Sequence, residues 1–111
     1  MAGLSGTMSR RRIAALGDVP EGGNRAFDVG GRSILICRSS AGLFASDNLC
    51  SHAFSYLEGG RVTGAFLSCP LHGVRFNLRS GKPSGKLTRR SLAVYPVHVE
   101  GGEIFADLPD D

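Results

Sequence analysis

"CSHAFSYLEGGRVTGAFLSCPLHGVRFN", Cys50 to Asn77, holds two of the chain's three cysteines and two of its three histidines. They are set as C-x-H (Cys50, His52) and C-x-x-H (Cys69, His72). A cysteine and a histidine two or three positions apart beside a turn can bend both side chains toward one centre. Two such pairs make an S₂N₂ donor set. Softness and geometry then leave tetrahedral zinc or an iron–sulfur centre, with four residues that bind nothing as the bland alternative. Sixteen residues separate His52 from Cys69, a spacing that does not itself exclude zinc. A zinc-finger pattern, however, places paired cysteines before paired histidines, whereas each loop here supplies one of each. Mixed pairs suit a two-iron centre better, with the cysteines on one iron and the histidines on the other.

Outward from these loops, helical periodicity is nearly absent. Short β-branched or alternating segments lie between turn signals instead. Strands are expected over residues 10–16, 25–29, 32–37 and 43–46, with Gly30-Gly31 as a hairpin turn that tolerates positive φ. Further strands are expected over 61–62, 65–68, 74–78, 92–99 and 103–108, the last two joined by Gly101-Gly102. Within 92–99, Tyr95, Val97 and Val99 share one face and Pro96 and His98 the other; Pro96 marks an edge. The four ligand candidates fall in turns rather than in strand interiors.

The chain has 111 residues, enough for one domain and too few for two. Residues 1–9 are expected as a flexible tail, 10–108 as the domain and 109–111 as a short C-terminal tail, with Met8 as an alternative start. "SRRRIAALGDV" has the arginines of a twin-arginine export signal. Its apolar stretch is only Ile13 to Leu16 before Asp18 arrives, short of the roughly 7–15 residues that such a signal needs. No apolar run approaches the roughly 20 residues of a membrane span. A cytoplasmic location is expected, where cysteines more often serve metals or chemistry than disulfides.

Read in full, C-S-H-x16-C-P-L-H-G-x-x-F-N-L-R-S-G resembles the cluster-binding region of Rieske proteins. It is most similar to the Rieske-type ferredoxins of bacterial ring-hydroxylating dioxygenase systems. The resemblance runs from about residue 10 to 108 and includes the closing "YPVHVEGGEIF". It implies an all-β fold, a Rieske-type antiparallel β-sandwich with a two-loop cluster-binding tip, and one [2Fe–2S] cluster per chain. By the same resemblance Cys50 and Cys69 bind the inner iron, and His52 and His72 the outer, redox-active iron. Pro70 and Gly73 would shape the second loop. An oxidised core with four thiolates carries a formal charge of about −2; two neutral imidazoles bring it to about zero, which raises the potential.

The departures are informative. Membrane-bound respiratory Rieske proteins carry an extra cysteine in each loop, where this chain has Ser55 and Leu71. They also place a serine and a tyrosine just after the second loop as donors to cluster sulfurs. Here those positions are Val74 and Phe76. Donors to sulfur stabilise the reduced cluster, so their loss implies a low potential.

The implied function is a one-electron shuttle from a flavin-dependent NAD(P)H reductase to a terminal oxygenase. The shuttle is expected to be a monomer, with no membrane and no nucleic acid as partners. No nucleophile–base pair, phosphate loop or facial triad of two histidines and a carboxylate is present, so an enzyme is not expected. The alternatives are a Rieske-like small subunit of a larger reductase, such as an assimilatory nitrite reductase, and a zinc-stabilised interaction or nucleic-acid module. From Gly59 to Val99 there are seven Lys/Arg and no Asp/Glu, which favours an acidic partner; aromatics there are too sparse for a stacking series. Cys37 reads as a small buried strand residue, His98 as a surface histidine. Phe54 and Tyr56 either pack the first loop or form an apolar rim around the tip.

Overall fold

A computed structural model describes residues 8–50, 55–70, 74–84 and 90–109. The strands are β1 (Met8–Ala15), β2 (Asn24–Val29), β3 (Arg32–Ser39), β4 (Gly42–Asp47), β5 (Arg61–Thr63), β6 (Phe66–Ser68), β7 (Arg75–Asn77), β8 (Pro83–Ser84), β9 (Val94–Tyr95), β10 (Val97–Glu100) and β11 (Glu103–Pro109). They form three antiparallel sheets, ordered β1-β11-β10, β2-β3-β4-β9 and β5-β6-β7-β8. The turn between β2 and β3 is made by Gly30 and Gly31, both at positive φ (60° and 83°), as the glycine pair predicts.

β3 shows why the sheets stack in three layers. Four consecutive residues, Ile34, Leu35, Ile36 and Cys37, are fully buried, because this strand has protein on both faces. Its alternating side chains divide between two cores. Ile34 and Ile36 pack with Ile13, Val19, Ala45, Ile104 and Ala106 under the first sheet. Leu35 and Cys37 pack with Leu57, Leu67, Phe76, Leu78 and Leu92 over the third, and Cys50 and Cys69 belong to that same core. The sandwich thus carries a third, small sheet on its far side.

Strand bounds differ from expectation where pairing decides them. β1 starts at Met8 and β11 ends at Pro109, which pair with each other. A register shift between Arg12 and Ala14 puts the adjacent residues Ile13 and Ala14 both into the core, as a bulge allows. The expected strand over 92–99 is two strands in two sheets. Tyr95 pairs with Ala45, Val97 pairs with Ala106, and Pro96 sits at the change of sheet with its carbonyl accepting from Asp107 N–H at 3.0 Å. Proline has no N–H for a ladder, and both β9 and β10 are edge strands. Val97 and Val99 share a face, opposite the buried Ala106 and Ile104, although Val99 at the edge is itself exposed. His98 is not a bare surface histidine: its Nε2 lies 3.0 Å from Asp107 Oδ2, and Asp107 also faces Arg10 at 3.9 Å. Among the described residues, no helix is long and apolar enough to cross a membrane.

Candidate metal centre

Both ligand loops grow out of antiparallel ladders, and both close at the cysteine. Beyond β4, Asn48 carbonyl accepts from Leu57 N–H at 2.6 Å, Leu49 bridges Tyr56, and Cys50 N–H donates to Ser55 carbonyl at 2.8 Å. Beyond β6, Ser68 pairs with Arg75, and Cys69 N–H donates to Val74 carbonyl at 2.8 Å. Each cysteine therefore stands on the last described rung of its ladder, with four residues between the two ends of the rung. Those tips carry His52 and His72, which lie, with Phe54, Leu71 and Gly73, outside the described residues.

The two sulfurs enter one apolar core: Cys50 and Cys69 are 3% and 2% exposed and pack with Leu57, Leu67, Val74 and Phe76. Ser55 Oγ lies 3.7 Å from Cys69 Sγ, so the return of the first loop touches the ligand candidate of the second. Two soft donors brought into one core by opposed loops fit a thiolate-held cluster. Val74 and Phe76 are buried and apolar, so the residues after the second loop bring no hydroxyl. Among the described residues, no three His, Cys, Asp or Glu side chains gather for a metal ion, and the donor set needs the tips to be complete.

The supports of the first loop were not visible in the sequence. Asn48, 4% exposed, donates from Nδ2 to Ser33 Oγ at 3.1 Å and accepts at Oδ1 from Glu58 N–H at 2.9 Å. Its own N–H donates to Ser33 carbonyl at 3.1 Å. Glu58 Oε2 accepts from Ala26 N–H at 2.7 Å. Asn24 holds the next two residues, accepting from Gly59 N–H at 2.8 Å and donating to Gly60 carbonyl at 2.9 Å. The signal in the sequence was a polar residue beside the ligand turn, which a loop would hold anyway. Gly60 is fixed by close approach: a Cβ there would collide with the Ser68 carbonyl, next to Cys69.

Other candidates sort out plainly. Cys37 is fully buried, and burial pushes its thiol up to about 12, so it is the inert strand residue expected. Tyr56 is 66% exposed and its bridge partner Leu49 43%; Tyr56 does not pack into the core. On the small sheet Arg61 faces Ser68 and Ser68 faces Arg75, so two exposed arginines flank the residue before Cys69. The Arg75 guanidinium lies 4.7 Å from the Phe66 ring centroid. Arg79 instead stacks on Phe44, at 5.6 Å.

An all-β protein with two cysteine-bearing loops closed into one core belongs to a narrow class, and the comparisons define it. A model of the Rieske [2Fe-2S] domain matches residues 9–96, so the chain belongs to the Rieske family, whose cofactor is a [2Fe–2S] cluster. Within that family it is similar to the 3-phenylpropionate/cinnamic acid dioxygenase ferredoxin subunit of Escherichia coli (strain K12), 39% identical over 93% of this chain and 97% of that one. The solved ferredoxin of carbazole 1,9a-dioxygenase from Nocardioides aromaticivorans IC177 superposes with a TM-score of 0.80 and 35% identity, covering 88% and 96% of the two chains. A chain of the complex of reduced oxygenase and oxidized ferredoxin in carbazole 1,9a-dioxygenase matches at TM-score 0.77 and 28% identity, covering 87% and 91%. This chain is a Rieske ferredoxin, an electron-transfer component and not itself an enzyme.

Proposed function

We propose that the protein carries single electrons from a flavin-dependent NAD(P)H reductase to a terminal ring-hydroxylating oxygenase, as a cytoplasmic monomer. Cys50, His52, Cys69 and His72 would hold the cluster, which supplies one-electron oxidation and reduction. The observation that carries the proposal is the matched closure of the two loops, each ending on a cysteine buried in the same core. The cysteines hold their sulfurs away from water. The histidines, two and three residues further on in the sequence, would hold the iron that exchanges electrons with a partner. The buried, apolar Val74 and Phe76 support a low potential, near the bottom of a Rieske range that starts at roughly −150 mV.

Exposed Leu49 and Tyr56 on the first loop, with Arg61 and Arg75 beside the second, offer a docking rim that is apolar on one side and basic on the other. A basic field steers an acidic partner and speeds encounter more than it strengthens binding. Reconstitution tests the function: the protein is mixed with reductase and oxygenase components, and substrate-dependent NAD(P)H oxidation is followed. Turnover should depend on the chain and be lost with His72→Ala. Full turnover without the chain, or with the His72→Ala variant, would refute the proposed role.

A further inference from the structure

Ser55 and Val74 occupy equivalent places. Each accepts the N–H of a ligand cysteine across the last rung of its loop, at 2.8 Å in both cases. One is a hydroxyl residue and the other apolar. The Ser55 hydroxyl lies 3.7 Å from Sγ of Cys69, on the opposite loop.

From this we infer that Ser55 tunes the reduction potential, by donating a hydrogen bond to the Cys69 sulfur. A metal-bound thiolate has no proton, so the hydroxyl must be the donor. The inference rests on Cys69 being a cluster ligand. The backbone holds the hydroxyl in place: Ser55 carbonyl is bound by Cys50 N–H, and the next residues continue the ladder through Leu49–Tyr56 and Asn48–Leu57. Ser55 is half-buried, and Cys69 belongs to an apolar core with Val74 and Phe76, where a hydrogen bond to a charged acceptor counts for more than in water. On reduction one electron enters, no covalent bond forms or breaks, and the proton stays on Ser55. The added negative charge spreads over the sulfurs, so the donor stabilises the reduced form more than the oxidised one. Ser55 thus offsets part of the loss of donors at Val74 and Phe76, and it couples the two loops directly.

The test uses cluster-loaded wild type, Ser55→Ala and Ser55→Thr, each assayed for iron and sulfide before potentiometric titration. Ser55→Ala should lower the reduction equilibrium constant by about three- to tenfold, tenfold being 59 mV for one electron. Ser55→Thr, which keeps the hydroxyl, should stay close to wild type. A fully loaded Ser55→Ala protein with the wild-type potential would overturn the inference. Wild type without labile sulfide would overturn the ligand assignment instead. Should Ser55→Ala fail to take up the cluster, wild type alone decides. Hydroxyl protons exchange within seconds and buried amides far more slowly, so a resonance Raman iron–thiolate band should shift on brief transfer to D₂O. An unshifted band would overturn the inference.

Discussion

The two ligand loops share a closure and differ in what holds them. The first continues β4 out of the central sheet and is strapped down by side chains distant in sequence, with Asn48 on Ser33 and Glu58 on Ala26. The second is the end of the β6–β7 hairpin, closed by its own backbone and seated against Gly60. One loop therefore belongs to the middle layer and the other to the small outer sheet. A cluster bound by both joins two layers, so its binding free energy also supports the fold.

The sharpest way to break the comparison is to remove one ligand from each loop. His52→Ala and His72→Ala should each lose the normal Rieske spectrum, despite the different supports, because both loops serve one centre. Retention of that spectrum by either variant would remove the residue from the ligand set. The supports should then separate the loops. Asn48→Ala removes the hydrogen bonds to Glu58 N–H and Ser33 Oγ; both partners are exposed and can turn to water, so the loss should be about 0.5–1.5 kcal/mol for each bond. Gly60→Ala strikes the Ser68 carbonyl and should cost about 1–3 kcal/mol by overpacking. Thermal unfolding of loaded protein measures both, and cluster loss should precede unfolding in each.

A smaller effect concerns the sulfur environment. Val74→Ser places a hydroxyl at the position of the second loop equivalent to Ser55 of the first, and Phe76→Tyr places one two residues further on. Each should raise the potential when its hydroxyl reaches a sulfur, in a potentiometric titration, with a wild-type value well below zero. The smallest effect separates the outer faces of the loops. Arg61 and Arg75 lie beside the second loop, so electron transfer to an acidic partner should slow by stopped flow as salt rises from 0.01 to 0.1 M. The Debye length falls over that interval from roughly 30 to 10 Å. A rate that stays flat or rises would assign docking to the apolar side, Leu49 and Tyr56.

The sequence made the ligand spacing and most strands readable, for local reasons. C-x-H and C-x-x-H are short-range patterns, and Gly30-Gly31 specifies its hairpin by backbone freedom alone. Pro96 announced an edge, but a period-two run of side chains reads straight through a change of sheet, so β9 and β10 looked like one strand. His98 gained a partner from Asp107, on the neighbouring strand. Asn48 is the clearest case of what sequence hides: its partners lie fifteen residues upstream and ten downstream, and nothing nearby distinguishes it from a turn asparagine. Phe54, His52 and His72 fall outside the described residues, so their part in the site is carried by motif and family.

Iron, acid-labile sulfide and zinc in protein made and kept without oxygen test the central claim most directly, because the cluster and the ligand loops stand or fall together. About two irons and two sulfides per chain, with no stoichiometric zinc, are predicted. One zinc per chain without labile sulfide would contradict it.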